Sequence, residues 1–119
     1  MNKLISLIFT ATMSMSVLAN CEVYFNDPTD VAKCFEDESF SKVTTNLKKL
    51  NEISKEQLSY NPSVLKVLNK AQRDWIAYRN SYCDSYSNYH GERNNHSNCI
   101  VKLNNERAQQ LQNDIDTIN

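Results

Sequence analysis

Four cysteines, Cys21, Cys34, Cys83 and Cys99, are the residues of this 119-residue chain best able to do chemistry, and their setting decides which chemistry. Ahead of them stands an N-terminus with Lys3, an apolar run from Leu4 to Met15, and Val17-Leu18-Ala19, the pattern of a secretory signal cleaved after Ala19. An exported chain meets an oxidising compartment, where an even set of cysteines reads as disulfides rather than as thiolate nucleophiles. Three connectivities are open, and pairing of sequence neighbours, Cys21 with Cys34 and Cys83 with Cys99, is the expected one. No Cys-x-x-Cys element supports a zinc site. His90, Glu92 and His96 are irregularly spaced in a polar stretch, which argues against a metal site, and no Ser-His-Asp or Cys-His arrangement can be assembled. The reading is that of a protein without enzymatic activity, metal or cofactor.

A second constellation lies on one helical stripe. Gln72 stands three residues before Trp75 and Arg79 four after it, so both flank the indole on the same face. Polar groups on such a seam need hydrogen-bond partners, because a buried unpaired one costs a few kcal/mol. The expected role of Gln72 and Arg79 is to tie helices together through carbonyls and carboxylates.

The elements that carry these residues are helical. The chain has one glycine and two prolines, and its apolar spacing is that of helices throughout. Asn26-Asp27-Pro28 and Asn61-Pro62-Ser63 are starting signals, so helices are predicted over about 27–51, 62–87 and 97–118. Their apolar stripes are Phe40, Val43, Leu47 and Leu50 in the first, and Val64, Leu68, Ala71, Trp75, Tyr78 and Tyr82 in the second. In the third the stripe is Val101, Ala108, Leu111, Ile115 and Ile118. Amphipathic helices bury such stripes only against one another. The predicted fold is all-α, a small three-helix bundle stapled by two disulfides. Residues 1–19 are read as signal peptide and 20–119 as a single domain. The apolar run near the N-terminus is too short to span a membrane, which takes about 20 residues. Membrane attachment would require Cys21 to be lipidated, and Asn20 is a poor fit to a lipobox. The expected location is periplasmic or secreted.

The run Ala71-Gln72-Arg73-Asp74-Trp75-Ile76-Ala77-Tyr78-Arg79, followed by Cys83 and then by Cys99, Leu103 and Arg107, resembles the LprI-type lysozyme inhibitor family. The resemblance reaches upstream through Cys34, Phe40 and Leu47. It implies an exported all-helical domain without a cofactor, inhibition of lysozyme as in the founding member, and a structural motif of Gln72, Trp75, Arg79 and Arg107. Asn80 departs from the pattern, in which Asp usually follows the arginine.

Two stretches offer surfaces to a protein partner. Asp84 to Asn98 reads as a Tyr-, Ser- and Asn-rich loop between two cysteines, close in composition to antibody binding loops, where rigid tyrosines give contact area at low entropic cost. Tyr86, Tyr89, His90 and Arg93 could enter a hydrolase cleft, with Arg93 toward the two catalytic carboxylates such clefts carry. Glu22 to Glu38 holds six acids, Glu36 and Asp37 among them, against Lys33 alone. An acidic end steers toward a cationic protein. The formal net charge of −1 is not that of a nucleic-acid binder. These readings converge on a partner-binding protein that blocks a lysozyme or other peptidoglycan hydrolase. An envelope structural or stress protein and an immunity protein against a peptidoglycan-targeting toxin are the alternatives.

Overall fold

The computed structural model of the chain describes residues 21–91 and 93–118, with the Arg93 side chain left aside. The signal-peptide reading of residues 1–19 lies outside them. The described chain is helical: α1 (Cys21–Tyr24), α2 (Pro28–Gln57), α3 (Ser63–His90) and α4 (Arg93–Ile118). Asp27 caps α2 as its sequence suggests, Oδ1 accepting from the Thr29 amide at 2.7 Å, with Pro28 in the first turn where its missing N–H costs nothing. Among the described residues no helix is long and apolar enough to cross a membrane.

All three long helices outrun their predicted bounds. Nothing between Asn51 and Gln57 breaks a helix, so α2 runs two further turns and brings Ile53 and Ser54 into the packing. The larger correction concerns Asp84 to Asn98, which is not a loop. Helix α3 continues to His90 and ends on the chain's one glycine, Gly91, whose φ of 69° is the left-handed cap that glycine adopts without strain. Helix α4 starts two residues later. Asn, Ser and Tyr are only weakly averse to helix, and tertiary ties override them. One tie is the Cys83–Cys99 bridge, and another is His96 Nε2 against Asp84 Oδ1 at 2.9 Å.

The hydrogen bonds fix the direction of each helix. Residues 36, 39 and 46 of α2 meet residues 97, 104 and 108 of α4, so these two run parallel. Residues 72, 79 and 84 of α3 meet 107, 104 and 96 of α4, so α3 runs antiparallel to it. Helix α4 packs extensively on α2 and less on α3, while α2 and α3 scarcely touch each other. The core reflects this order. Val43 and Leu50 from α2 meet Ala108, Leu111 and Ile115 from α4, all buried, with Phe40, Leu47, Ile53, Leu68, Trp75 and Ile118 packed half-buried around them. Complete burial of a Leu or Ile side chain is worth about 1.5–3 kcal/mol, so Leu111 and Ile115 are principal contributors. A smaller cluster surrounds the second disulfide: Cys83, Cys99 and Ile100, with Tyr86 and Leu103 against them.

Both expected disulfides are present, with Cα separations of 5.7 Å for Cys21–Cys34 and 5.5 Å for Cys83–Cys99. The first fastens the single turn of α1 to α2. The second joins α3 to α4 two turns below the Gly91 cap.

Candidate interaction surface

Trp75 is half-buried rather than enclosed, because α3 leans mainly on α4 and touches α2 only sparsely, through contacts such as Asn69 Nδ2 to Asn51 Oδ1 at 3.2 Å. Two arginines lie over it: the Arg79 guanidinium carbon is 5.4 Å from its ring and the Arg107 carbon 5.8 Å. Arg79 also lies 5.0 Å from the Phe40 ring, a cation–π contact that brings α2 into the group.

The partners of these arginines are amides rather than the carbonyls and carboxylates expected. Arg79 Nη1 donates to Asn104 Oδ1 at 2.9 Å, and its Nε and Nη2 fork onto Asn80 Oδ1 at 3.1 and 2.9 Å. Arg107 Nε donates to Gln72 Oε1 at 3.0 Å and its Nη1 to Gln110. Burial pulls both guanidinium groups below their ordinary value, against the opposing charges of Glu36 for Arg79 and Asp114 for Arg107. Both stay protonated at any physiological pH.

Asn104, fully buried, is the residue the sequence reading missed. Its Nδ2 donates to Ser39 Oγ at 2.9 Å and to the Glu36 carbonyl at 3.4 Å, while its Oδ1 takes the Arg79 bond. One side chain thereby links all three long helices. The Ser39 hydroxyl in turn donates to the Glu36 carbonyl, and the Glu36 carboxylate accepts from Ser97. A signal existed: Asn104 sits four residues from both Ile100 and Ala108, inside the apolar stripe of α4. Gln72, Trp75, Arg79 and Arg107 therefore form one connected group that clamps the helices.

The proposed partner-binding residues are distributed differently from expectation, yet they share one end of the bundle. Because α2 and α4 are parallel and α3 is antiparallel, the start of α2, the finish of α3 and the start of α4 come together there. Tyr86 is half-buried, its ring 4.2 Å from His90 and 6.3 Å from Tyr82. It belongs to a ladder with Tyr78 and Tyr82, which were expected in the core but stand 55% and 44% exposed, as Ala71 is also exposed. Tyr89 projects from the last turn of α3 at 84% exposure. Arg93 is the first residue of α4, so it belongs to a helix rather than to a loop tip. Of the two acids singled out, Glu36 is half-buried and turned to Ser97, whereas Asp37 is exposed and pairs with Lys33 at 3.1 Å. His90 and His96 are engaged with Tyr86 and Asp84, and no group able to hold a metal ion occurs among the described residues.

The scaffold is disulfide-stapled and all-helical, its polar cluster engaged in internal ties, with exposed aromatics both at this end, Tyr89 foremost, and at the opposite one, where Tyr60 is 80% exposed. The LprI lysozyme inhibitor family matches residues 29–111, and the chain belongs to that family. The match contains the Trp75 group, three of the four cysteines and the whole α3–α4 turn. It is a family of inhibitors rather than of enzymes, and it fits an exported protein, as the two disulfides do. Comparison with curated proteins and comparison with solved structures find no match.

Proposed function

We propose that this protein is exported to the bacterial envelope, with its signal peptide removed after Ala19. There it blocks a lysozyme or related peptidoglycan-cleaving enzyme by protein–protein contact. Membership of a lysozyme inhibitor family over residues 29–111 carries this reading. The contact is made by the end of the bundle that holds the α3–α4 turn. Tyr89 is its most exposed aromatic side chain, on a turn that the Cys83–Cys99 bridge holds rigid. Such a tip enters a partner with little ordering entropy to lose, which is what makes a rigid aromatic an effective anchor.

The test is clearing of a bacterial cell suspension by several lysozymes with and without the purified mature protein. At least one enzyme is expected to be slowed in proportion to inhibitor concentration, and Tyr89→Ala to weaken the effect about tenfold or more at an unchanged melting temperature. Indifference of every lysozyme would refute the reading.

A further inference from the structure

Tyr78, Tyr82 and Tyr86 recur every four residues on α3, which sets them one above another along the same side of the helix. Neighbouring ring centroids are 5.6 and 6.3 Å apart and their planes differ by only 32° and 26°, so the rings lie like shingles. The row they make is about 12 Å long, eight residues of helix. It forms one wall of an open groove of about 300 Å³ between α3 and α4. Helix α4 lines the rest with Asn98, Lys102, Leu103 and Glu106. Tyr78 and Tyr82 stay exposed there, whereas Tyr86 and Leu103 pack on the cluster around the Cys83–Cys99 bridge. The row is therefore held in place before any ligand arrives.

We propose that this tyrosine row is a binding site for an extended, neutral glycan strand, whose pyranose rings lie across the tyrosines. Spacing excludes a ligand that inserts between the rings. Sandwiching a flat group between two rings needs centroids at least about 7 Å apart, twice the carbon contact distance. At 5.6 and 6.3 Å there is no slot for a proline ring, a nucleobase or a caged cation, so the occupant lies over the row. Charge narrows it further. Of the lining residues Lys102 and Glu106 carry charge, and they pair with each other at 3.8 Å, which leaves neither an anion nor a cation a partner there. A pyranose meets both conditions, with an apolar C–H face for the rings and a rim of hydroxyls. The Asn98 amide and the tyrosine hydroxyls both donate and accept hydrogen bonds, the few polar groups that orient a ligand in an aromatic-lined site. The straightness of the row suits a β-linked strand, which runs extended, over an α-linked one, which curls. Tyr89 does not line the groove, so the inference goes beyond the inhibitor reading and needs no enzyme to be bound.

The experiment titrates the mature protein with a β-1,4-linked N-acetylglucosamine hexamer by isothermal calorimetry, with no lysozyme present. Saturable binding is expected, and the monosaccharide, which covers one ring of the row, should bind about tenfold more weakly or not measurably. Tyr82→Ala should weaken hexamer binding about fivefold, the loss of one stacking partner, while Tyr82→Phe keeps the ring and stays within about twofold of the parent. Tyr60→Ala, exposed but outside the groove, should bind like the parent. Melting temperatures are recorded for each variant, and Tyr78→Ala serves as the probe if Tyr82→Ala is unstable. No saturation at millimolar hexamer would overturn the proposal, as would a Tyr82→Ala and a Tyr78→Ala that both bind like the parent. Tighter binding of a proline-rich peptide or a single-stranded oligonucleotide than of the hexamer would overturn it equally. Because no enzyme enters the assay, failure here leaves the inhibitor reading standing, and indifference of every lysozyme leaves the glycan site standing.

Discussion

Replacing Asn104 by Ala should be the most damaging polar substitution in the protein. The side chain is wholly buried and makes one hydrogen bond to a charged group, Arg79, and two to neutral ones, Ser39 and the Glu36 carbonyl. A bond to a charged partner is worth about 1.5–3 kcal/mol and one between neutral groups about 1 kcal/mol. The 3.4 Å contact is long and adds little. Because Arg79 keeps one edge in solvent, the lower half of the charged range applies, giving a loss of about 3 kcal/mol. For a domain of this size each kcal/mol lowers the melting temperature by about 4–8 °C, so a fall of roughly 12–24 °C is expected. Thermal unfolding followed by circular dichroism, with the disulfides intact, measures it. Packing loss alone could mimic part of that fall, so the decisive assay is a double-mutant cycle with Arg79→Met, which keeps the aliphatic stem over Phe40. Coupling of at least about 1 kcal/mol is expected if the bond is what matters. Strict additivity of the two substitutions would refute the assignment of Asn104 as the tie among the three helices.

Three further outcomes follow from the same geometry. Trp75→Ala should cost roughly 2–3 kcal/mol, short of the 3–5 kcal/mol of a fully enclosed aromatic, because one side of the ring is already open; a chemical denaturation curve would show it. Removing the Cys83–Cys99 bridge should lower stability by about 3 kcal/mol on the chain-entropy account. Removing Cys21–Cys34 should cost much less, since α1 can detach from α2 while the rest stays folded, and paired Cys→Ala variants compared by melting temperature will separate the two. Asn80→Asp should raise stability by about 0.5–1 kcal/mol, measured the same way, because Asn80 already receives the Arg79 fork and a carboxylate would add charge to that geometry.

What the sequence made legible was set by periodicity and by the cysteines. Stripes on α2 and α4 were readable because both helices bury a broad face, and Val43, Leu50, Leu111 and Ile115 fell where the spacing put them. Helix α3 was harder. It carries two overlapping stripes, and which one turns inward depends on how many helices surround it. With contact almost confined to α4, only the narrow line through Leu68, Gln72, Trp75 and Arg79 is covered, and Tyr78 and Tyr82 are left outside. The stretch from Asp84 to Asn98 misled because Tyr, Ser, Asn and His suit loops and tolerate helices alike; the absence of any glycine or proline before Gly91 was the better guide. The Gln72–Trp75–Arg79 group declared itself through spacing, whereas its hub Asn104 was one polar residue within an apolar stripe. The groove that Val31, Ala32 and Phe35 of α2 form with Val101 of α4 is built by two helices together, which no single-helix pattern encodes.

The parallel pairing of α2 with α4 also fixes the order in which this chain can acquire structure. Contacts such as Asn46 to Ala108 span 62 positions, and the helix between them gives α2 almost nothing to pack on. A chain emerging N-terminus first therefore holds two long helices with exposed apolar faces and no core until the 26 residues of α4 arrive. Contacts this distant in sequence slow folding, since the intervening loop must close before any of them forms. Helix α4 therefore acts as a keystone: it supplies the surface on which both α2 and α3 close, and it carries the partner of Cys83.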